Sequence, residues 1–210
     1  MAKEPSESEQ LLCQARAGNS QALGELFERY RERLRQMVRL RLDRRLYGRL
    51  DPSDVLQETY LDLSKRFPEY AQNPAVPFYL WLRSLTGQKL VTLHRQHLGT
   101  HMRDAGQEVS LYRGALPQAS SQSLANQLLG RLTSPTQAAM RAEMQIRLQE
   151  ALNTMDPLDR EVLVLRHFEE LSNNETAEIL GLQKSAASKR YRRALERLTN
   201  ILRNIPGLFP

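Results

Sequence analysis

Residues 173–198, NNETAEILGLQKSAASKRYRRALERL, constrain the fold more than any other stretch. Ser172 and Glu175 have the spacing of a capping box, in which two side chains reciprocally satisfy the open backbone N–H groups of a helix start. Ala177 and Gly181 stand four apart, as a helix-turn-helix requires: a small residue where two helices touch, then a glycine able to take positive φ at the turn. From Gln183 onward, Ala187, Tyr191, Ala194, Leu195 and Leu198 keep one apolar stripe, while Lys184, Ser185, Ser188, Lys189, Arg192 and Arg193 project elsewhere. Crowded like charges on a helix repel one another, so a polyanionic partner would account for them. In a helix-turn-helix the N-terminal part of the second helix enters the major groove, where Lys, Arg and Ser donate to base edges or phosphates. Those six residues are the candidate duplex-binding set; a solvated helical hairpin is the alternative use of the same pattern.

The rest of the chain is also written for helices. It holds 36 Leu against 7 Val and 4 Ile, a balance that favours helix over strand. A formal charge of +6 suggests an anionic partner without identifying it. The single cysteine, Cys13, excludes an internal disulfide and reads as a small hydrophobe on the first helix. No apolar run approaches the ~20 residues that span a bilayer, and the polar, acidic start MAKEPSESEQ is unlike a secretory signal. The expectation is a cytoplasmic, all-α chain with no membrane segment. No phosphate-cradling glycine loop or nucleophile–base constellation is present, so an enzyme, a cofactor and a small-molecule substrate are not expected.

Helical periodicity begins near Ser20, where Leu23, Leu26, Phe27, Tyr30, Leu34, Met37 and Val38 alternate with Arg29, Arg31, Arg33, Arg35 and Arg39. That basic run suits a nucleic-acid backbone or a solvated face. "DPSD" announces a second helix, with Asp51 as cap, Pro52 at the first position and Asp54 in the first turn. It is expected to run to Pro68, followed by a proline-rich loop and a third helix over 78–98. The segment 104–133 is rich in Ser, Gln, Ala and Gly and reads as a flexible linker with room for a turn or two of helix. Order returns with Ser134 capping before Pro135, in a helix expected to part-bury Ala138, Met144, Ile146, Leu148 and Leu152. A second Asp-Pro start follows at Asp156 and Pro157. The organisation expected is two small helical domains, 1–103 and 134–210, joined by 104–133.

The stretch "DREVLVLRHFEELSNNETAEILGLQKSAASKRYRRALERL" resembles the C-terminal promoter-reading domain of bacterial sigma factors of the extracytoplasmic-function (ECF) group. "DPSDVLQETYLDLSKRF" is similar to that group's core-polymerase-binding helix, and "PFYLWLRSLTGQKLVTLHRQ" to its promoter-melting helix. The resemblance covers roughly residues 10–103 and 134–203. It implies that domain 134–210 reads the −35 element, and that domain 1–103 binds core RNA polymerase, reads the −10 element and assists strand opening. It implies core RNA polymerase and promoter DNA as partners, leaves an anti-sigma factor open as a third, and implies no catalysis by this chain.

On that resemblance, Asp54, Gln57, Glu58 and Asp62 are the core-polymerase-binding candidates, an acidic stripe at i, i+4, i+8 with Gln57 beside it. Tyr79, Trp81, Lys89 and Arg95 are the −10 candidates, although Trp81 also continues an apolar face with Leu82 and Leu85. The loop Glu69 to Pro77 would receive a flipped base. Ser84, Gln88 and Thr92 depart from the residues usual in the family, as do Gln183 and Ala187 at the reading helix. His94, His97 and His101 share a helical face, but no carboxylate or cysteine is interleaved, so a polar surface is expected there and no metal site. The rival function is a free-standing helix-turn-helix regulator with an N-terminal sensing or dimerisation domain.

Overall fold

The computed structural model describes residues 6–98, 117–132 and 138–206; His101, Ser134 and Pro135 lie outside them. Among the described residues the regular structure is helical throughout, and the chain divides into two compact units. One comprises Met1–Val38 with Leu42–Ala115, the other Arg39–Arg41 with Leu116–Pro210.

The first unit holds α1 (Glu7–Arg16), most of α2 (Ser20–Arg41), α3 (Pro52–Gln72) and α4 (Phe78–Leu98). α2 contributes Leu26, Phe27, Leu34, Met37 and Val38 to its core, α3 contributes Val55, Leu56, Leu63 and Phe67, and α4 contributes Leu82, Leu85 and Leu90. Cys13 is exposed, because the buried face of α1 passes through Ala15 instead. The arginine run of α2 is largely matched by carboxylates: Arg29 meets Glu7 at 2.6 Å and Arg31 meets Glu28 at 3.2 Å. α3 begins as expected, with Pro52 in its first turn and a capping box between Asp51 and Asp54. It does not stop at Pro68. The helix continues to Gln72 because Phe67 and Tyr70 are both buried on its inner face. Their burial outweighs a proline penalty of ~3 kcal/mol. α4 spans the expected 78–98, and much of its circumference is covered: Phe78, Tyr79, Leu80, Leu82, Arg83, Leu85, Thr86, Gly87, Leu90 and His94 are buried.

The second unit holds α5 (Ser121–Leu132), α6 (Ala138–Asn153), α7 (Pro157–Leu163), a π-type turn over Val164–Phe168, α8 (Asn173–Leu180) and α9 (Lys184–Arg203). Within the expected linker, α5 is a helix of 12 residues, longer than the turn or two expected there. The Ser120 hydroxyl accepts from the Ser123 N–H at 3.0 Å, and Leu124, Ala125 and Leu129 are fully buried. Polar neighbours disguise this short apolar stripe in the sequence. In α6, Met144, Leu148 and Leu152 are buried as expected, but Ile146 is 58% exposed, off the inner face. Arg41, which groups with this unit, has a buried guanidinium ion-paired to Glu161 and Glu169. Burial alone would ease its deprotonation, but the two carboxylates hold it above its ordinary value.

α9 has a narrow inner face, with Ala187, Ala194 and Leu198 as its buried residues. Asp159, buried in the first turn of α7, supplements that contact by binding Arg190 at 2.7 Å and Arg197 at 2.8 Å. Removing the carboxylate leaves the part-buried Arg190 with the longer contact to Asp156 at 3.5 Å and loosens α7 from α9. Asp159→Ala should therefore cost about 2–3 kcal/mol of stability in urea titration, while Arg197→Ala, at the exposed end, should cost under ~1 kcal/mol. Equal small losses from both would show that the bridges contribute little.

Candidate nucleic-acid interface

The helix-turn-helix forms where its sequence signals fall. Ser172 and Glu175 close a capping box, with the Ser172 N–H donating to Glu175 Oε2 at 2.7 Å and the Glu175 N–H to Ser172 Oγ at 3.2 Å. α8 ends at Gly181, whose φ of 64° is readily adopted by glycine, and the Leu182 N–H reaches back to the Ala177 carbonyl at 2.9 Å. Ala177 is buried as the small contact residue. The Asn173 amide donates to the Lys184 carbonyl at 2.9 Å, tying the start of α8 to the first turn of α9. Lys184, Ser185, Ser188, Lys189, Arg192 and Arg193 are all exposed. Arg190 and Arg197 are held by acidic side chains, whereas these four cations have no carboxylate partner among the described residues. The helix thus separates cations that build it from cations turned to solvent.

In the first unit the acidic stripe is part-compensated. Lys89 on α4 binds Asp62 at 2.8 Å and Glu58 at 3.6 Å. The Asp62 hydrogen bond raises its pKa despite some loss from burial, so it remains charged. Lys89 is therefore engaged with α3. Asp54 is also employed, because its carboxylate accepts the Asp51 N–H at 2.9 Å. Gln57 and Glu58 are exposed, as is the apolar Leu61 at 55%. Leu61 was absent from the expected set; its signal was an apolar residue outside the buried register of α3.

The four −10 candidates do not come together. Tyr79 is buried, with the Arg33 guanidinium 3.8 Å from its ring centroid and Tyr30 at 5.1 Å, so its position is in the core. Trp81 is part-exposed and stacks on Tyr70 at 4.3 Å with an interplanar angle of 16°. Arg95 is exposed. Beside the Tyr70–Trp81 stack is a pocket of about 230 Å³ lined by α3, α4 and the intervening loop. Arg66, Glu69, Asn73, Ser84 and Gln88 supply its polar groups. Of the expected loop Glu69 to Pro77, Glu69 and Tyr70 line the pocket from within α3, and Asn73 and Ala75 line it from beyond the helix. Trp81, Ser84, Gln88, Thr92 and Arg95 recur at i, i+3, i+7, i+11, i+14 and form the stripe of α4 left uncovered. Ser84, Gln88 and Thr92 all lie on this open stripe.

The histidines separate too. His94 is buried, and its Nε2 accepts the Asp43 N–H at 3.3 Å, while His97 is exposed. Among the described residues no group of three His, Cys, Asp or Glu side chains is disposed to hold a metal ion. Arg45 hydrogen bonding draws the Asp43 carboxyl down to about 2. Burial lowers the His94 pKa; Asp43 opposes that effect and Arg45 adds to it. The neutral ring is favoured in the fold, so as pH falls below the unfolded value of about 6.5 the unfolded chain takes up protons first. The stability due to His94 is full above that pH and is lost as pH falls through the folded pKa. Urea midpoints measured from pH 7.5 to 5 should therefore fall more steeply for the parent than for His94→Gln, which retains an acceptor for Asp43. Parallel slopes would refute the assignment.

The family described as "Sigma-70, region 4" matches residues 145–198, which run from within α6 through α7 and α8 to Leu198 in α9. ECF RNA polymerase sigma factor SigD of Mycobacterium tuberculosis is 28% identical over 188 residues, spanning 90% of this chain and 80% of that protein. RNA polymerase sigma factor CnrH of Cupriavidus metallidurans is 28% identical over 201 residues, 94% of this chain and 96% of that protein. A solved structure of CnrH in complex with the cytosolic domain of CnrY is similar with a TM-score of 0.53 and 25% identity, covering 92% of this chain and 95% of that one. These similarities run through both units, beyond what a lone helix-turn-helix regulator would share. With the capped α8–Gly181–α9 motif and its cationic face, they support an ECF-type RNA polymerase sigma factor.

Proposed function

We propose that this sigma factor divides promoter recognition between its units, the second reading duplex DNA at the −35 element and the first holding an unpaired base of the −10 element. It does so as a subunit of RNA polymerase, in the cytoplasm, without catalysing chemistry itself. Among the described residues no helix is long and apolar enough to cross a membrane. The observation that carries this reading is the Tyr70–Trp81 pocket on the open stripe of α4. Double-stranded recognition needs no such cavity, whereas an extruded base needs an aromatic surface and polar edge groups to offset lost stacking.

The remaining assignments follow from exposure. Gln57 and Glu58, with Asp54 and Asp62 flanking, offer an acidic surface to a basic polymerase helix, and Leu61 adds an apolar contact at its centre. Lys184, Ser185, Ser188, Lys189, Arg192 and Arg193 face the major groove or its phosphates. Arg95 extends the α4 stripe as a phosphate contact. The structure of CnrH with CnrY supports an anti-sigma factor as a further partner of this chain.

Two outcomes are expected of the complete chain assembled with core polymerase. Lys189→Ala or Arg192→Ala should weaken binding to duplex promoter DNA roughly tenfold, with a shallower salt dependence where the lost contact is to phosphate. Equal affinity of both variants to the parent at every salt concentration would remove α9 from the interface. Trp81→Ala should leave upstream duplex binding in place but greatly reduce permanganate-reactive thymines at the promoter. Undiminished thymine reactivity in a folded variant would assign strand opening elsewhere.

A further inference from the structure

We infer that Arg66 sets the base preference of the α3–α4 pocket by fixing the orientation of the Gln88 amide, so that the pocket favours a keto base, thymine or guanine, over adenine or cytosine. The inference rests on the reading above that this pocket receives an unpaired base.

The argument begins with a hydrogen bond across the two helices: Arg66 Nη1 donates to Gln88 Oε1 at 3.0 Å. A primary amide can usually turn over, exchanging its acceptor oxygen for its donor nitrogen. Here it cannot do so without penalty. A guanidinium has donors only and stays charged, so the face of Gln88 turned to Arg66 must be the oxygen. What Gln88 retains for a ligand is its Nε2 group, with two N–H donors. Arg66 lines the same pocket and adds donors at the same end.

Ser84 fixes the opposite polarity. Its hydroxyl donates to the Trp81 carbonyl at 2.7 Å, which uses its only proton and leaves the oxygen as an acceptor. Ser84 and Gln88 are four apart on α4, one turn along the same stripe, and both line the pocket. The wall therefore presents a donor and then an acceptor. The Watson–Crick edges of thymine and guanine carry a carbonyl beside a ring N–H, complementary to that order. Adenine and cytosine, entering in the same orientation, carry an amino group beside a bare ring nitrogen, which places donor against donor and lone pair against lone pair. The Tyr70–Trp81 stack offers a planar surface to every base and does not discriminate. Asn73, the other amide in the lining, is exposed and its side chain makes no hydrogen bond among the described residues, so it adds no fixed polarity. Arg66 thus acts through Gln88, as a positioning residue.

The test is in vitro transcription by core polymerase carrying the complete chain, on a promoter library randomised across the −10 element, with the transcribed templates sequenced. The parent should enrich thymine and guanine over adenine and cytosine at one position, by roughly tenfold. Arg66→Lys, which still has only donors, should keep that profile. Arg66→Glu accepts from Nε2, turns the amide over, and should invert the preference at the same position towards adenine and cytosine. Arg66→Met removes the lock without supplying an acceptor, and should bring the ratio towards one; it decides the matter if Arg66→Glu does not fold. A keto preference that survives both Arg66→Glu and Arg66→Met, while Gln88→Ala abolishes it, overturns the role of Arg66 but leaves the pocket as the base site. If Trp81→Ala and Gln88→Ala alter no position either, the pocket holds no base, and the underlying reading fails with the inference.

Discussion

The buried carboxylate of Asp159 is the constraint on which the reading head of this protein depends. A helix offered to DNA must keep much of its surface polar, so little is left to fasten it to its own domain. α9 buries Ala187, Ala194 and Leu198, two of them too small to contribute much apolar area. Asp159 closes the gap by taking Arg190 and Arg197 from the flanks of the same helix. A charge placed inside in this way is costly unless it is paired, and here it has two partners. The arrangement also engages those two arginines within the unit, while Lys184, Lys189, Arg192 and Arg193 stay exposed on the outer face.

Much of this was legible in the sequence, for identifiable reasons. The capping box at Ser172, the αL glycine at 181 and the Asp-Pro starts at 51 and 156 are local devices whose physics acts within one turn of helix, and they operate as written. The exposed cationic face of α9 followed from the same periodicity that buried Ala187. What the sequence concealed depended on partners distant in the chain. Pro68 suggested a helix end, but the burial of Phe67 and Tyr70 carries α3 beyond it. The polar composition around Leu124 and Leu129 suggested a linker, but their stripe was sufficient for a helix. Tyr79 and Lys89 had the right chemistry for DNA, but one lies in the core beneath Arg33 and the other is held by Asp62 and Glu58. His94 lined up with two other imidazoles and instead turned inward to the backbone of Asp43.

These corrections have one cause. Residue type and spacing tell which side chains could bind a ligand; tertiary pairing decides which are still available. Lys89 and Lys189 are indistinguishable as residues. One lies against two carboxylates, and the other has none among the described residues. The difference is that α3 places carboxylates opposite Lys89, while Lys189 is turned to solvent.

The same logic separates the positions of α4 that packing restricts from those it does not. Its covered positions are restricted by packing, since a buried leucine exchanged for a polar group costs several kcal/mol in lost burial and unsatisfied hydrogen bonding. The uncovered stripe through Trp81, Ser84, Gln88, Thr92 and Arg95 carries no such penalty. Ser84, Gln88 and Thr92, the positions on α4 where the residue types differ from those usual in ECF sigma factors, all fall on it. The buried positions hold the helix, so its open face can change in hydrogen-bonding character without unsettling the core. The fold keeps its strict packing requirements on one side of α4 and leaves the other side free of them.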